Sequence, residues 1–178
     1  YQRRVRGPKM TDKMMECQEM EDQQMEAQNV VRTQLDSSKD YYIRSVMTSI
    51  KQLEVPRASS AEGQEIALWD INCNANQCFT FVPIGPEVPG EYKYNITCMQ
   101  NNMFIVQDGP GKGAPIVQKS VPSTEWEVVK QADGSYKIKV LGLNMYWQLY
   151  DDNIENGTVD SQRANNKENQ KWDLIIAE

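Results

Sequence analysis

An aromatic residue returns three times in this chain, each time behind a polar stretch and ahead of an apolar one. "ANQCFTFV" stands at 75–82, "STEWEVV" at 123–129 and "ENQKWDLI" at 168–175. The aromatic positions are Phe79, Trp126 and Trp172, separated by 47 (126 − 79) and 46 (172 − 126) residues. A period of that size marks a repeat architecture, in which one supersecondary unit is used several times around a shared core. From Asp40 onward, short apolar stretches alternate with turn residues at a spacing of roughly 8–12 residues, which predicts an all-β barrel or sandwich.

Four candidate strands fall in each of three blocks. The first block holds "YYIRSV", "KQLEV", "EIALWDI" and "CFTFVPI"; the second, "EYKYNIT", "MFIVQD", "APIVQK" and "EWEVVK"; the third, "YKIKVL", "MYWQLYD", "GTVDSQ" and "KWDLII". "GPEVPGE" (85–91) and "ADGS" (132–135) separate the blocks as strong turns. Twelve strands in three equal blocks is a β-trefoil count, with repeats at about 40–88, 89–132 and 133–178. Phe79, Trp126 and Trp172 are then core residues related by pseudo-threefold symmetry.

Residues 1–39 have another texture and form a basic N-terminus with a helical extension. Arg3, Arg4, Arg6 and Lys9 carry no acid among them, whereas 11–28 hold Asp12, Glu16, Glu19, Glu21, Asp22 and Glu26 against Lys13 alone. Both runs read as solvated. Residues 10–35 predict an α-helix: Thr11 and Asp12 cap it, and no Gly or Pro interrupts it. Its apolar stripe is thin for a coiled coil, and five Met residues give it an adaptable face for the domain or a protein partner.

Composition excludes several functions. The net charge of −6 argues against a nucleic-acid binder. No histidine occurs in the 178 residues, which removes Ser-His and Cys-His nucleophile pairs, histidine general bases and histidine metal ligands. No two carboxylates stand at a spacing that would mark a glycosidase pair, so the chain reads as a non-enzyme. "DGPGKGAP" (108–115) lacks the Gly-Lys-Ser/Thr ending of a phosphate loop, and "DDNIENG" (151–157) lacks a calcium ligand ladder. No cofactor or metal is assigned. No apolar run is long enough for a transmembrane segment, and no apolar signal core opens the chain, so a secreted protein would be a processed form.

The cysteines are Cys17, Cys73, Cys78 and Cys98, an even number whose spacing fits no zinc pattern. Cys73 and Cys78 could close a small loop, and Cys17 could pair with Cys98 or with another chain; four reduced thiols are the alternative. Two N-glycosylation sequons, "NIT" at Asn95 and "NGT" at Asn156, favour a secreted, extracellular protein with disulfides.

The first block, 43–81, resembles a repeat of the ricin B-chain lectin family. It shares an exposed first hairpin, "LWD" at 68–70, and Asn-Gln followed two residues on by an aromatic, the family's Gln-x-Trp motif. The motif stands here as Gln77-Cys78-Phe79 and Gln170-Lys171-Trp172, while Thr124 replaces Gln before Trp126. The resemblance covers about residues 40–176 and leaves out the N-terminal segment. It implies a β-trefoil whose carbohydrate pockets combine an acid, an aromatic platform and an Asn-Gln pair. In the first repeat these map to Glu54, Trp69, Asn76 and Gln77, with Glu54 where the family usually has Asp. In the second, Val106 or Gln107 and Lys119 fall at the acid and platform positions and suit no sugar. In the third, Asn169 and Gln170 are present, but Gln148 replaces the acid and Gln162 the aromatic, leaving Tyr146 or Tyr150 as substitute platforms.

The reading that follows is a secreted, non-catalytic lectin with at most one competent pocket for a glycan or glycoprotein. The alternative is a trefoil that has lost sugar binding and works by protein–protein interaction, as a subunit of an extracellular assembly docked through its Met-rich helix. A protease inhibitor presenting "GPEVPGE" or "DGPGKGAP" is a third reading.

Overall fold

The computed structural model describes residues 32–178. Twelve strands are found there: β1 (Asp40–Ser45), β2 (Lys51–Glu54), β3 (Ala67–Asp70), β4 (Phe79–Pro83), β5 (Tyr94–Cys98), β6 (Phe104–Gln107), β7 (Ile116–Lys119), β8 (Trp126–Lys130), β9 (Tyr136–Val140), β10 (Met145–Leu149), β11 (Val159–Arg163) and β12 (Trp172–Ile176). Each overlaps one of the twelve predicted segments. The described residues are all-β, with short 3-10 turns as their only helical turns.

Six strands close a barrel. The antiparallel pairs run β1–β4, β4–β5, β5–β8, β8–β9, β9–β12 and back from β12 to β1. Closure leaves no unpaired edge in this ring. The other six strands form the hairpins β2–β3, β6–β7 and β10–β11. Single bridges tie the hairpins together in a threefold pattern: Glu65 to Val117, Ala67 to Thr158 and Pro115 to Asp160. This is the β-trefoil arrangement.

The two-residue period of a strand sends alternate side chains to opposite faces. In β1, Tyr41, Ile43 and Ser45 point inward, and in β4, Phe79 and Phe81 do. The repeats fill the core in matching sets. Ile43, Ile96 and Ile138 come from β1, β5 and β9; Leu53, Ile105 and Trp147 come from β2, β6 and β10. The anchors Phe79, Trp126 and Trp172 open β4, β8 and β12 and are fully buried. Trp126 Nε1 donates to Ile105 O at 2.8 Å and Trp172 Nε1 to Trp147 O at 3.3 Å. The indole therefore fills the barrel and also fixes the neighbouring hairpin, whereas Phe79 supplies only the filling.

The helix expected over 10–35 is corrected where it can be seen. Arg32 bridges Val129, and Thr33 N donates to Val128 O at 2.8 Å, so the chain runs extended along β8. Leu35 enters the core, and its N–H donates to Tyr94 Oη at 2.8 Å. These backbone groups bond sideways to the barrel instead of along a helix. The rest of the expected helix, its partner face and Cys17 lie outside the described residues.

No disulfide joins Cys73 to Cys78, one of the pairings the spacing allowed: Cys73, Cys78 and Cys98 are free thiols. The loop is closed by an amide instead. Gln77 Oε1 accepts from Asn72 N at 3.0 Å and Cys73 N at 3.2 Å. The Cys78 and Cys98 thiols turn to the carbonyls of Asn74 and Ala75, at 3.6 and 3.7 Å. Burial pushes both thiols up in pKa.

Glu127, on β8, is a fully buried carboxylate held between Arg32 Nη2 at 3.1 Å and Lys139 Nζ at 3.0 Å. Its removal leaves Lys139 mostly buried without its partner, and we expect Glu127→Ala to cost about 1–3 kcal/mol, below the full cost of a broken buried pair because Arg32 still reaches water. A urea titration checks this.

Candidate carbohydrate-binding site

The Asn-Gln pair of the first repeat lies in a single 3-10 turn, Ala75–Gln77, that leads into β4. Gln77 is fully buried and makes the more extensive contacts. Its Nε2 donates to Asp70 O at 2.8 Å and to Glu54 Oε2 at 3.3 Å, and its Oε1 accepts from Gln52 Nε2 at 2.5 Å. Asn76 Nδ2 donates to Val55 O at 3.0 Å and Glu54 Oε2 at 3.4 Å. The pair thus fastens the β3–β4 loop to the end of β2 and sets the orientation of Glu54.

Glu54 is only 5% exposed. Burial raises its pKa, partly offset by the two amide N–H groups on Oε2. That leaves Oε1 with no protein donor among the described residues. On β3, Trp69 is 50% exposed although its neighbour Leu68 is fully buried. The strand period turns the indole outward as a platform.

A cleft of about 540 Å³ opens here, lined by Glu54, Trp69 and Asn76 together with Arg57, Asn72 and Asn156 among others. Three of the four predicted residues line it. Gln77 does not; it sits behind the cleft and positions the residues that do. The sequence reading missed Arg57 and Asn72 and took Asn156 only as a sequon, not as a cleft residue. Arg57 and Ala58 adopt positive φ, 55° and 53°, and Asp151 and Asp152 repeat this turn at 56° and 52°. That recurrence was not visible as a residue pattern.

The third repeat keeps the frame without the cleft chemistry. Gln170 Nε2 donates to Arg163 O at 2.7 Å and to Gln148 Oε1 at 3.1 Å, matching the Gln77 contacts. Asn169 Nδ2 donates to Asp152 Oδ1 at 2.8 Å. At the platform position Gln162 is taken up by Asp160, at 2.6 Å. Tyr146 is buried; Tyr150 is exposed, but it follows β10 instead of standing on β11. In the second repeat Val106 is buried and Lys119 pairs with Asp108 at 2.6 Å. Thr124 takes the place of the glutamine, accepting from Gln107 N at 2.9 Å. A smaller cleft of about 330 Å³ there has no aromatic wall.

The two sequons differ in setting. Asn95 is half-buried in β5, opposite Val82, whereas Asn156 is exposed in the turn before β11. Among the described residues no helix is long and apolar enough to cross a membrane, and no cluster of three metal-ligating side chains occurs.

No protein-family model and no curated protein matches the chain. Solved structures do. The Rhizoctonia solani agglutinin aligns with a TM-score of 0.71 at 18% identity, over 81% of this chain and 98% of that one. A designed threefold-symmetric protein, ThreeFoil, aligns at 0.68 and 20%, over 76% and 97%. The ricin B-like lectin of Macrolepiota procera, solved with lactose, aligns at 0.66 and 18%, over 80% and 99%. The fold these structures share with the chain is the β-trefoil.

Proposed function

We propose that the chain is a non-catalytic, lectin-like carbohydrate-binding module whose one working site is the first-repeat cleft. The observation that carries this reading is the convergence of Trp69, Glu54 and Asn76 on one cleft. A sugar ring presents an apolar face and a rim of hydroxyls. The indole covers the face, and Glu54 Oε1 accepts from a hydroxyl. Selectivity then rests on buried polar groups that a wrong sugar would leave unpaired. Lectins among the matched structures support the reading, as does the lack of histidine. The proposed setting is extracellular, where glycans and glycoproteins are displayed.

The test is a broad glycan array run with the native protein and Glu54→Ala. Binding by the native protein that the variant loses supports the reading; silence from folded native protein sinks it.

The acid also gives a pH dependence. The ionised carboxylate is the better acceptor, so sugar retention should fall as pH drops through the raised pKa of Glu54, at a higher pH than for an ordinary glutamate. The stability effect has the opposite sign. A raised folded-state pKa favours folding below the unfolded value, and this contribution is lost as pH rises through the folded pKa. Glu54→Gln should therefore flatten the pH dependence of stability and abolish the acid limb of binding. Gln148 shows that an amide oxygen is accommodated in this frame. Retention on a sugar column and thermal melts, each followed from acid to neutral pH, check both.

A further inference from the structure

The Asn156 sequon belongs to the third repeat, yet Asn156 lines the cleft of the first. The turn that carries it is rigidly placed. Asn153 Oδ1 accepts from Glu155 N at 3.1 Å and Asn156 N at 3.4 Å, and Gly157 N donates to Asn153 O at 3.0 Å. Gly157 O accepts from Leu68 N at 2.9 Å, and Thr158 bridges Ala67, which ties the turn to the strand bearing Trp69. Glu155 adds a contact to Lys51, at 3.5 Å. The middle residue of the sequon must be glycine, because a Cβ there would lie 2.3 Å from Asn153 O and 2.8 Å from Leu149 Cδ1. Asn156 is exposed, and its Oδ1 accepts from Asn153 Nδ2 at 3.0 Å, leaving the amide nitrogen as the atom for linkage.

We infer that Asn156 is an N-glycosylation site whose glycan occupies the first-repeat cleft in cis and so controls access to it. This rests on the carbohydrate-binding reading above. The linkage forms between Asn156 Nδ2 and the anomeric carbon of a lipid-diphosphate-borne oligosaccharide; the amide loses a proton and the lipid diphosphate leaves. The attached N-acetylglucosamine residues carry the same chemistry as an external ligand, an apolar ring face with a hydroxyl rim. A tethered sugar stands at an effective concentration on the order of millimolar, enough to compete with a free sugar that binds weakly. Even a glycan that makes no specific contact puts bulk over the Trp69 face.

The test compares three proteins: the full chain secreted from a eukaryotic cell line, Thr158→Ala secreted from the same line, and the full chain from bacteria. Thr158→Ala removes the sequon and leaves Asn156 in place. Peptide mass mapping reads occupancy, and titration on the strongest-binding sugar of the array reads affinity. The expected result is an occupied Asn156, similar affinities for Thr158→Ala and bacterial protein, and affinity about tenfold or more weaker for the glycosylated form. An unmodified Asn156, or equal affinity with Asn156 occupied, overturns the inference while the carbohydrate reading stands. Folded bacterial protein that binds no sugar overturns both. Should Thr158→Ala misfold, enzymatic removal of the whole glycan from the folded secreted chain, which leaves aspartate at 156, replaces it: unchanged affinity after removal overturns the inference, and recovery supports it.

Discussion

Trp69→Ala should weaken sugar binding by about 30- to 700-fold while leaving the fold intact. The indole is the one large apolar surface among the cleft residues named above, and half of it faces solvent. Stacking a pyranose on it removes apolar area from water on both partners and adds an aromatic contribution, together on the order of 2–4 kcal/mol, which converts to the stated range. Stability should change by only about 0.5 kcal/mol, the usual scale for exposed positions. The register supports this, since Trp69 stands opposite Gln52 in a hairpin whose core contacts come from Leu53 and Leu68. Titration on immobilised sugar, with a thermal melt alongside, separates the two quantities. Trp69→Phe should recover part of the affinity, because a smaller aromatic face remains. An Ala variant that binds as the native protein does would move the site away from β3.

Trp172→Ala is expected to have the largest effect on stability. Trp172 is fully buried, meets Trp147 edge-on at 6.4 Å between ring centroids, and donates to the Trp147 carbonyl. It also opens β12, whose pairing with β1 through five residue pairs closes the barrel. Trp147 in turn meets Trp126 edge-on at 5.4 Å, so one truncation loosens a stack of three indoles. Replacing a buried tryptophan by alanine costs about 3–5 kcal/mol, a large part of the roughly 5–15 kcal/mol that holds a domain of this size. The melting temperature should fall by roughly 6–20 °C. Trp172→Phe should fall between, since Phe79 fills the equivalent position in the first repeat without an indole N–H. Near-UV circular dichroism during a denaturant titration reads both variants. A loss under about 1 kcal/mol for the alanine variant would show that the anchor is not the core element its burial makes it.

Two features of the site bear on these results. The Asn-Gln pair serves the frame before it serves a ligand, because Gln170 in the third repeat makes the same carbonyl and side-chain contacts as Gln77 with no platform beside it. Replacing Gln77 would therefore confuse loss of the loop with loss of sugar contact. Trp69 is the better probe, since its exposed indole lines the cleft and takes no part in the Glu54–Asn76–Gln77 contacts that hold the loop.

The chain's linear order was enough to specify the repeat and its strands. Aromatic spacing and turn residues are local properties, and a two-residue period at each strand decides which side faces the core, so Phe79, Trp126 and Trp172 were legible as interior positions. Trp69 and Glu54 were singled out only through the resemblance to a ricin B-chain repeat. Other features required the folded chain. Asn156 and Trp69 are 87 residues apart (156 − 69) and line one cleft because the hairpins of the first and third repeats are bridged through Ala67 and Thr158. Arg57 enters the cleft through a left-handed turn that its residue type does not announce. The Cys73–Cys78 loop is held by Gln77, whose Oε1 accepts from the Asn72 and Cys73 N–H groups. The segment 32–35 follows helix-forming residues yet runs extended, because burial of Leu35 and bonding to β8 and Tyr94 outweigh a propensity worth tenths of a kcal/mol per residue. Local patterns set which residues face inward; long-range pairing set which of the outward-facing ones share a cleft.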